Sequence, residues 1–139
     1  MCGLAFIFDS STDELQSKSR MGVALNKMKH RGPDAQDQWH GHNATAGHVR
    51  LSIVDLYGSR QPMHSFDDRF VLVFNGEIYN YQDLRASLVG RWEFKTGGDT
   101  EVLLAGLILE GESFIPKLEG MWSFLLWDKQ DRRALFCRD

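Results

Sequence analysis

Apolar and polar positions alternate along several short segments of this chain, which is the pattern of strands with one buried face. Residues 70–74 are apolar throughout, which predicts a strand that is covered on both faces. Polar residues at 128–131 predict a hairpin turn between the last two strands. The predicted strands are residues 1–8, 36–42, 44–55, 70–74, 92–96, 120–128 and 133–138.

Three other segments have helical spacing. The first extends from about residue 13 to 29, with Ser11 or Thr12 as its cap. A short second helix carries Leu84 and Leu88, and a third begins at Asp99, a natural N-cap. The third helix is apolar nearly all round, so we expect it to be sandwiched between other elements. Helices layered on sheets in a single α+β domain over residues 1–139 are the arrangement that this pattern favours.

Composition narrows the class of protein. The net charge of −3 gives no indication of a positively charged binding surface, so nucleic acid is not an expected partner. No apolar run approaches the ~20 residues of a membrane span, and the two cysteines give no disulfide framework, so we expect a cytoplasmic protein. The five histidines do not form a metal-ligand pattern, and no metal site is predicted.

Cys2 carries the first candidate chemistry. If Met1 is removed, Cys2 has a thiol and a free α-amine on the same residue. In general these two kinds of group titrate within about one pH unit of each other, so either can exchange a proton with the other near neutral pH. Catalysis by an N-terminal nucleophile uses this pair, with the amine as base for its own side chain. The alternative interpretation is a small apolar residue at the edge of the first strand.

Four further stretches are unusual for packing alone. They are residues 30–34, two basic groups beside a Gly-Pro turn; Arg50, within an apolar run; 75–77, which end a buried strand; and Asp99 after two glycines. Each has an ordinary interpretation as a loop, a snorkelling arginine, a tight turn or a helix cap. Together with Cys2, they meet the needs of acyl transfer from a glutamine side chain.

Such a reaction requires a thiolate, donors for the developing oxyanion, a cation for the α-carboxylate and an anion for the α-ammonium. The side chain of Asn75 and the backbone N–H of Gly76 can donate to the oxyanion. The planar fork of Arg50 matches a carboxylate, and Glu77 and Asp99 can hold the ammonium.

These motifs resemble the glutaminase domain of class II glutamine amidotransferases, in the asparagine synthetase-like branch of the N-terminal-nucleophile hydrolases. The resemblance extends over essentially the whole chain. The resembling stretches are Met1-Cys2-Gly3, His30-Arg31-Gly32-Pro33-Asp34, Arg50-Leu51-Ser52-Ile53-Val54-Asp55, Asn75-Gly76-Glu77-Ile78-Tyr79-Asn80, Asp99-Thr100-Glu101 and Gly120-Met121-Trp122-Ser123-Phe124.

The resemblance implies a four-layer α/β/β/α sandwich and an attack of Cys2 on the L-glutamine carboxamide, giving a γ-glutamyl thioester, ammonia and glutamate. It assigns the oxyanion hole to Asn75 and Gly76, and a positioning role to residues 30–34. The residues that it implies for glutamine binding are Arg50, Leu51, Ser52, Ile53, Val54, Asn75, Gly76, Glu77 and Asp99.

The family's glutaminase domain is longer than this chain, so the resemblance implies a domain that is incomplete at its C-terminal side. We expect no synthetase domain within these 139 residues. Such a domain, or a partner chain, would use ATP and Mg²⁺ and receive the ammonia. Two alternatives remain open at this point: a non-catalytic glutamine-binding or regulatory domain, and a cysteine acylase that acts on another amide.

Overall fold

A computed structural model describes residues 2–9, 11, 13–52 and 58–139 of the chain. Its α-helices are α1 (Glu14–Met28), α2 (Tyr81–Leu88) and α3 (Asp99–Glu110), and a 3₁₀ helix covers Gly111–Lys117. Its strands are β1 (Gly3–Phe8), β2 (Ala35–Gly41), β3 (Ala44–Arg50), β4 (Met63–His64), β5 (Phe70–Ile78), β6 (Gly120–Asp128) and β7 (Arg133–Arg138).

The strands form two antiparallel sheets. The first sheet has the order β1-β3-β2, and the second has the order β4-β5-β6-β7. Helix α1 packs on the first sheet, β1 and β3 contact β5 of the second, and α3 contacts both β5 and α2. The predicted α+β architecture with four α/β/β/α layers is therefore confirmed.

Each interface between layers has its own apolar cluster, because successive side chains of a strand point to opposite faces. Val71 and Val73 of β5 pack toward the first sheet, where they meet Ala44 and Ala46 of β3. The intervening Leu72 and Phe74 pack toward the helices. This confirms that the apolar run 70–74 is a strand covered on both faces, and that α3 is sandwiched.

The prediction of a strand at residues 92–96 is wrong. Outside a single bridge at Trp92, these residues form no strand, and they wrap around the carboxylate of Glu101. That buried carboxylate accepts hydrogen bonds from the backbone N–H groups of Lys95 and Thr96, at 2.9 and 2.6 Å, and from the Trp92 Nε1–H at 3.2 Å. A side chain from α3 thus replaces the neighbouring strand that would otherwise satisfy this backbone.

Several predicted boundaries also differ from the structure. Asp13, rather than Ser11, caps α1, since its side chain accepts from the Gln16 N–H at 2.8 Å; Thr12 lies outside the described residues. Strand β3 ends at Arg50, not at 55, and the short β4 was not predicted. None of the helices in the described ranges has the length and apolar character needed to cross a bilayer.

Two differences concern the candidate site itself. Residues 75–77 do not end β5, which continues to Ile78. Asp99 is not the N-cap of α3: Gly98 occupies that position, and Asp99 lies in the first turn, where its Oδ2 accepts from the Ile78 N–H at 3.1 Å. The carboxylate is therefore used between the helix and the strand, not within the helix.

Candidate active site

A cavity of about 110 Å³ lies at one end of the sandwich and brings most of the predicted site residues together. Its walls come from three layers: the first sheet, the second sheet and the start of α3. The lining residues are Cys2, Arg50, Leu51, Ser59, Gln61, Phe74, Asn75, Gly76, Glu77, Asp99, Thr100 and Met121.

Cys2 lies immediately before β1 and is half-buried in this cavity. Its Sγ accepts a hydrogen bond from the Leu51 N–H at 3.3 Å and lies 3.5 Å from the Leu51 carbonyl oxygen. The Cys2 carbonyl accepts from Arg31 Nε at 3.0 Å. The candidate nucleophile is thus held at the point where β3 leaves the first sheet.

The loop at 30–34 supports the same point. Gly32 is pressed against β3, and a Cβ there would lie 2.5 Å from the Arg50 nitrogen, so the approach requires glycine. The Asp34 N–H donates to the Arg50 carbonyl at 3.0 Å, and the Asp34 carboxylate accepts from the Ser52 N–H at 2.7 Å. These contacts hold the backbone on both sides of Leu51.

One edge of β5 forms the opposite wall. In an antiparallel ladder, alternate residues direct both backbone groups to the same side. Leu72 pairs with Met63 of β4, and Phe70 exchanges hydrogen bonds with Ser65, so the even-numbered residues of β5 face β4. Beyond Met63, β4 ends, and this edge of β5 continues without it.

Side chains then take over from the missing strand. The Phe74 N–H donates to Gln61 Oε1 at 2.6 Å, and the Phe74 carbonyl accepts from His48 Nε2 at 3.0 Å. Four residues further along, the Ile78 N–H donates to Asp99. The same alternation directs the N–H of Gly76, between these two anchored residues, out of the ladder and toward the cavity.

Gly76 has a backbone conformation that favours glycine, with a φ of 155°. A Cβ at this position would lie 2.6 Å from Trp122 Cα and closer still to the Met121 carbonyl oxygen. The absence of a side chain lets β5 and β6 stay paired through Ile78 and Gly120 while Gly76 borders the cavity.

Asn75 carries a buried polar atom that is not satisfied. Its Oδ1 has no hydrogen-bond partner among the described residues. Buried polar side-chain atoms in folded proteins are nearly always paired, so an exception inside a cavity points to a partner that arrives with a ligand.

The charges in the cavity are arranged with Arg50 on the first sheet and two carboxylates, Glu77 and Asp99, on the far side. Burial raises the pKa of Asp99, and the nearby charge of Glu77 acts in the same direction, while the hydrogen bond from Ile78 opposes the shift. A bound cation beside Asp99 would relieve both unfavourable effects. The cavity therefore has complementary ends for a small zwitterion.

Not every predicted residue borders this cavity. Ser52 lines a neighbouring polar cavity of about 390 Å³ instead, and its N–H is used by Asp34. Ile53 and Val54 lie outside the described residues. The sequence analysis assigned no site role to Ser59, Gln61, Phe74, Thr100 and Met121 in the cavity, or to His48 behind it. Only His48 had a usable signal, since it lies two positions from Arg50 and so shares its face of β3.

The family model described as "Glutamine amidotransferase domain" matches residues 1–139, the whole of the chain. Asparagine synthetase B [glutamine-hydrolyzing] of Escherichia coli (strain K12) is 40% identical over 139 residues, covering 100% of this chain and 25% of the relative. Asparagine synthetase [glutamine-hydrolyzing] 3 of Bacillus subtilis (strain 168) is 36% identical over 142 residues, covering 100% and 23%. The chain thus spans about a quarter of the length of these relatives.

Among solved structures, the glutamine phosphoribosylpyrophosphate amidotransferase from B. subtilis, complexed with ADP and GMP, has a TM-score of 0.52 and 26% sequence identity. The similarity covers 63% of this chain and 21% of that one. The layered fold, the cavity with Cys2 at its wall and the match over the full length lead to one conclusion: the chain belongs to the glutamine amidotransferase domain family.

Proposed function

We propose that this chain hydrolyses the side-chain amide of L-glutamine through a thioester on Cys2, and that the ammonia serves an asparagine synthetase-like amidation. One observation carries the proposal: a single cavity is lined by the Cys2 thiol, by Gly76, whose N–H is not used in strand pairing, and by opposite charges at its two ends. The names of the relatives, glutamine-hydrolyzing asparagine synthetases, support the same substrate.

In the proposed first step, Cys2 Sγ forms a bond to the amide carbon of glutamine and its proton passes to the α-amine that removal of Met1 frees. The Gly76 N–H and the side-chain N–H of Asn75 hold the oxyanion of the tetrahedral intermediate. Collapse of this intermediate breaks the carbon–nitrogen bond, and ammonia leaves with the proton from the amine. Water then attacks the thioester to give glutamate and the free thiol.

Recognition of the free amino acid is assigned to the charged ends of the cavity. Arg50 binds the α-carboxylate, and Asp99 and Glu77 bind the α-ammonium. Leu51 lies beside Arg50 and donates a hydrogen bond to Cys2. Ser52, Ile53 and Val54 are also proposed to contribute to binding of the α-carboxylate. The two charged ends disfavour a cysteine acylase that acts on amides without a free amino-acid head.

The proposal is tested on purified chain whose N-terminal mass shows that Met1 has been removed. Incubation with L-glutamine is expected to release ammonia and glutamate in equal amounts, and rapid acid quenching is expected to trap the γ-glutamyl thioester by mass spectrometry. D-glutamine serves as the control, since it cannot place its carboxylate and ammonium on the same ends. Glutamine binding with neither ammonia nor thioester would instead support the non-catalytic binding domain.

Replacing Arg50 with alanine tests the carboxylate assignment. Loss of a charged hydrogen bond is expected to weaken glutamine binding by about 1.5–3 kcal/mol, or roughly 10- to 100-fold in Kd. Calorimetric titration with L-glutamine measures this effect, and Arg60→Ala, in the neighbouring polar cavity, is the control. An unchanged Kd for Arg50→Ala would contradict the assignment.

The residues of this cavity do not identify the molecule that receives the ammonia. We propose that a synthetase domain or partner chain, with its own ATP and Mg²⁺, receives the ammonia. A reducing cytoplasm is the compartment that we propose, since Cys2 and Cys137 are both free thiols.

A further inference from the structure

We propose that His48 and Gln61 act as a pair of positioning residues that clamp the backbone of Phe74 and thereby aim the oxyanion donors of Asn75 and Gly76. This inference rests on the proposed function for its catalytic consequence. Its structural part, the clamp itself, stands on contacts that do not depend on the reaction.

The two side chains bind opposite groups of the same residue. Gln61 Oε1 accepts from the Phe74 N–H at 2.6 Å, and His48 Nε2 donates to the Phe74 carbonyl at 3.0 Å. All three residues are buried, with His48 only 1% exposed. Because buried backbone groups are costly to leave unpaired, this pair of bonds fixes the path of β5 at the point where β4 no longer pairs with it.

The protonation state of His48 suits this task. Burial and the positive charge of Arg50 lower its pKa to about 4, so the ring is neutral at neutral pH. A carbonyl oxygen can only accept, and therefore the single N–H of the neutral ring lies on Nε2. A neutral donor holds the carbonyl without bringing a second positive charge beside Arg50.

The clamp lies directly next to the residues that it would orient. Asn75 follows Phe74 in the chain, and Gly76 is the next residue whose N–H faces the cavity edge. Asp99 anchors Ile78 on the other side of Gly76. The Gly76 N–H is thus held between two fixed points, and His48 and Gln61 form the one nearer the first sheet.

His48 itself does not line the cavity that holds Cys2, so it acts through Phe74 and not on glutamine. Loss of the clamp should shift the oxyanion donors and leave the charged ends in place. Since the donors act on the transition state and the charged ends on the bound substrate, kcat should fall while KM changes little.

The test compares ammonia release by His48→Leu, which removes the donor, with His48→Gln, whose amide N–H can restore it. We expect kcat to fall about 10- to 100-fold in His48→Leu, the range that a small misplacement of catalytic groups produces. KM should stay near the wild-type value, and His48→Gln should recover most of the loss. Wild-type kcat in His48→Leu, or equal losses in both variants, would overturn the proposal.

Two further variants separate positioning from general stability. His40→Leu removes a half-buried histidine that bonds to Thr45 Oγ1 within the first sheet, and it should leave kcat unchanged per folded molecule. Gln61→Met removes the second half of the clamp at similar size. Its effect on kcat should not add to that of His48→Leu, because both act on Phe74.

Amide hydrogen exchange decides the clamp even if the wild-type chain releases no ammonia, an outcome that would count against the proposed function alone. Exchange of the Phe74 N–H should be faster in Gln61→Met and in His48→Leu than in wild type, while the rest of β5 stays protected. Unchanged exchange at Phe74 would show that no clamp exists.

Discussion

Replacing Cys2 with alanine is expected to abolish ammonia release from L-glutamine and to leave glutamine binding intact. In the proposed mechanism the Cys2 sulfur forms the thioester, whereas Arg50 and Asp99 are proposed to hold the substrate from other walls of the cavity. Removal of a covalent nucleophile lowers kcat by several powers of ten, so a fall of at least about 10³-fold is expected. Ammonia assays and calorimetric titration on the same sample measure the two effects.

Cys137→Ala is the matched control, since it removes the other thiol of the chain. Cys137 lies in β7 and packs against the helical side of the second sheet, outside the lining of the cavity. This variant should keep wild-type activity. Ammonia release that survives in Cys2→Ala, or that is lost equally in Cys137→Ala, would show that the nucleophile has been assigned to the wrong residue.

Replacing Gly76 with alanine is expected to lower the free energy of unfolding by about 2–5 kcal/mol. The added Cβ would overlap the backbone of β6 at Met121 and Trp122, and the φ of 155° disfavours any side chain. Relief of this overlap would separate β5 from β6 next to the cavity, so glutamine binding should be lost with stability. Urea unfolding followed by tryptophan fluorescence measures the change.

Gly22→Ala provides the control for the same chemical change. Gly22 lies within α1, and a Cβ there would meet nothing within 4 Å. Alanine is the better helix former by about 1 kcal/mol, so this variant should be more stable than wild type. If Gly76→Ala were as stable as Gly22→Ala, the close contact between β5 and β6 would not be a constraint on the sequence.

The layers of the fold could be predicted from the sequence because they depend on the period of the apolar residues. The strand 70–74 and the helix after Asp99 are apolar on more than one face, and only sandwiched elements tolerate this. The prediction of a strand at 92–96 was wrong because Trp92 and Phe94 alternate with polar residues, as they would in a strand. A coil that buries both aromatic side chains gives the same pattern. Only the distant carboxylate of Glu101 decides between the two.

The sequence indicated which residues would lie close together at the candidate site, but not the contacts that they make. Cys2, Arg50, Asn75, Gly76, Glu77 and Asp99 all border one cavity, as motif chemistry indicated. The sequence could not show that Asp99 accepts a hydrogen bond from Ile78 and also lines the cavity. An aspartate at the start of a helix is more often its N-cap. Likewise, the hydrogen bond between Gln61 and Phe74 depends on where β4 ends. A strand of two residues has too short a pattern to be predicted from the sequence.

The apolar cluster between the sheets has a consequence for the distance across the cavity. Cys2 directly precedes β1 of the first sheet and Gly76 lies in the second. Between these sheets the ring of Trp127 is tilted against that of Phe6, with 5.7 Å between ring centroids. The small Ala44 and Ala46 on β3 leave room for this indole. These buried side chains therefore act as spacers, and their size sets the gap between Cys2, the proposed nucleophile, and Gly76, a proposed donor to the oxyanion.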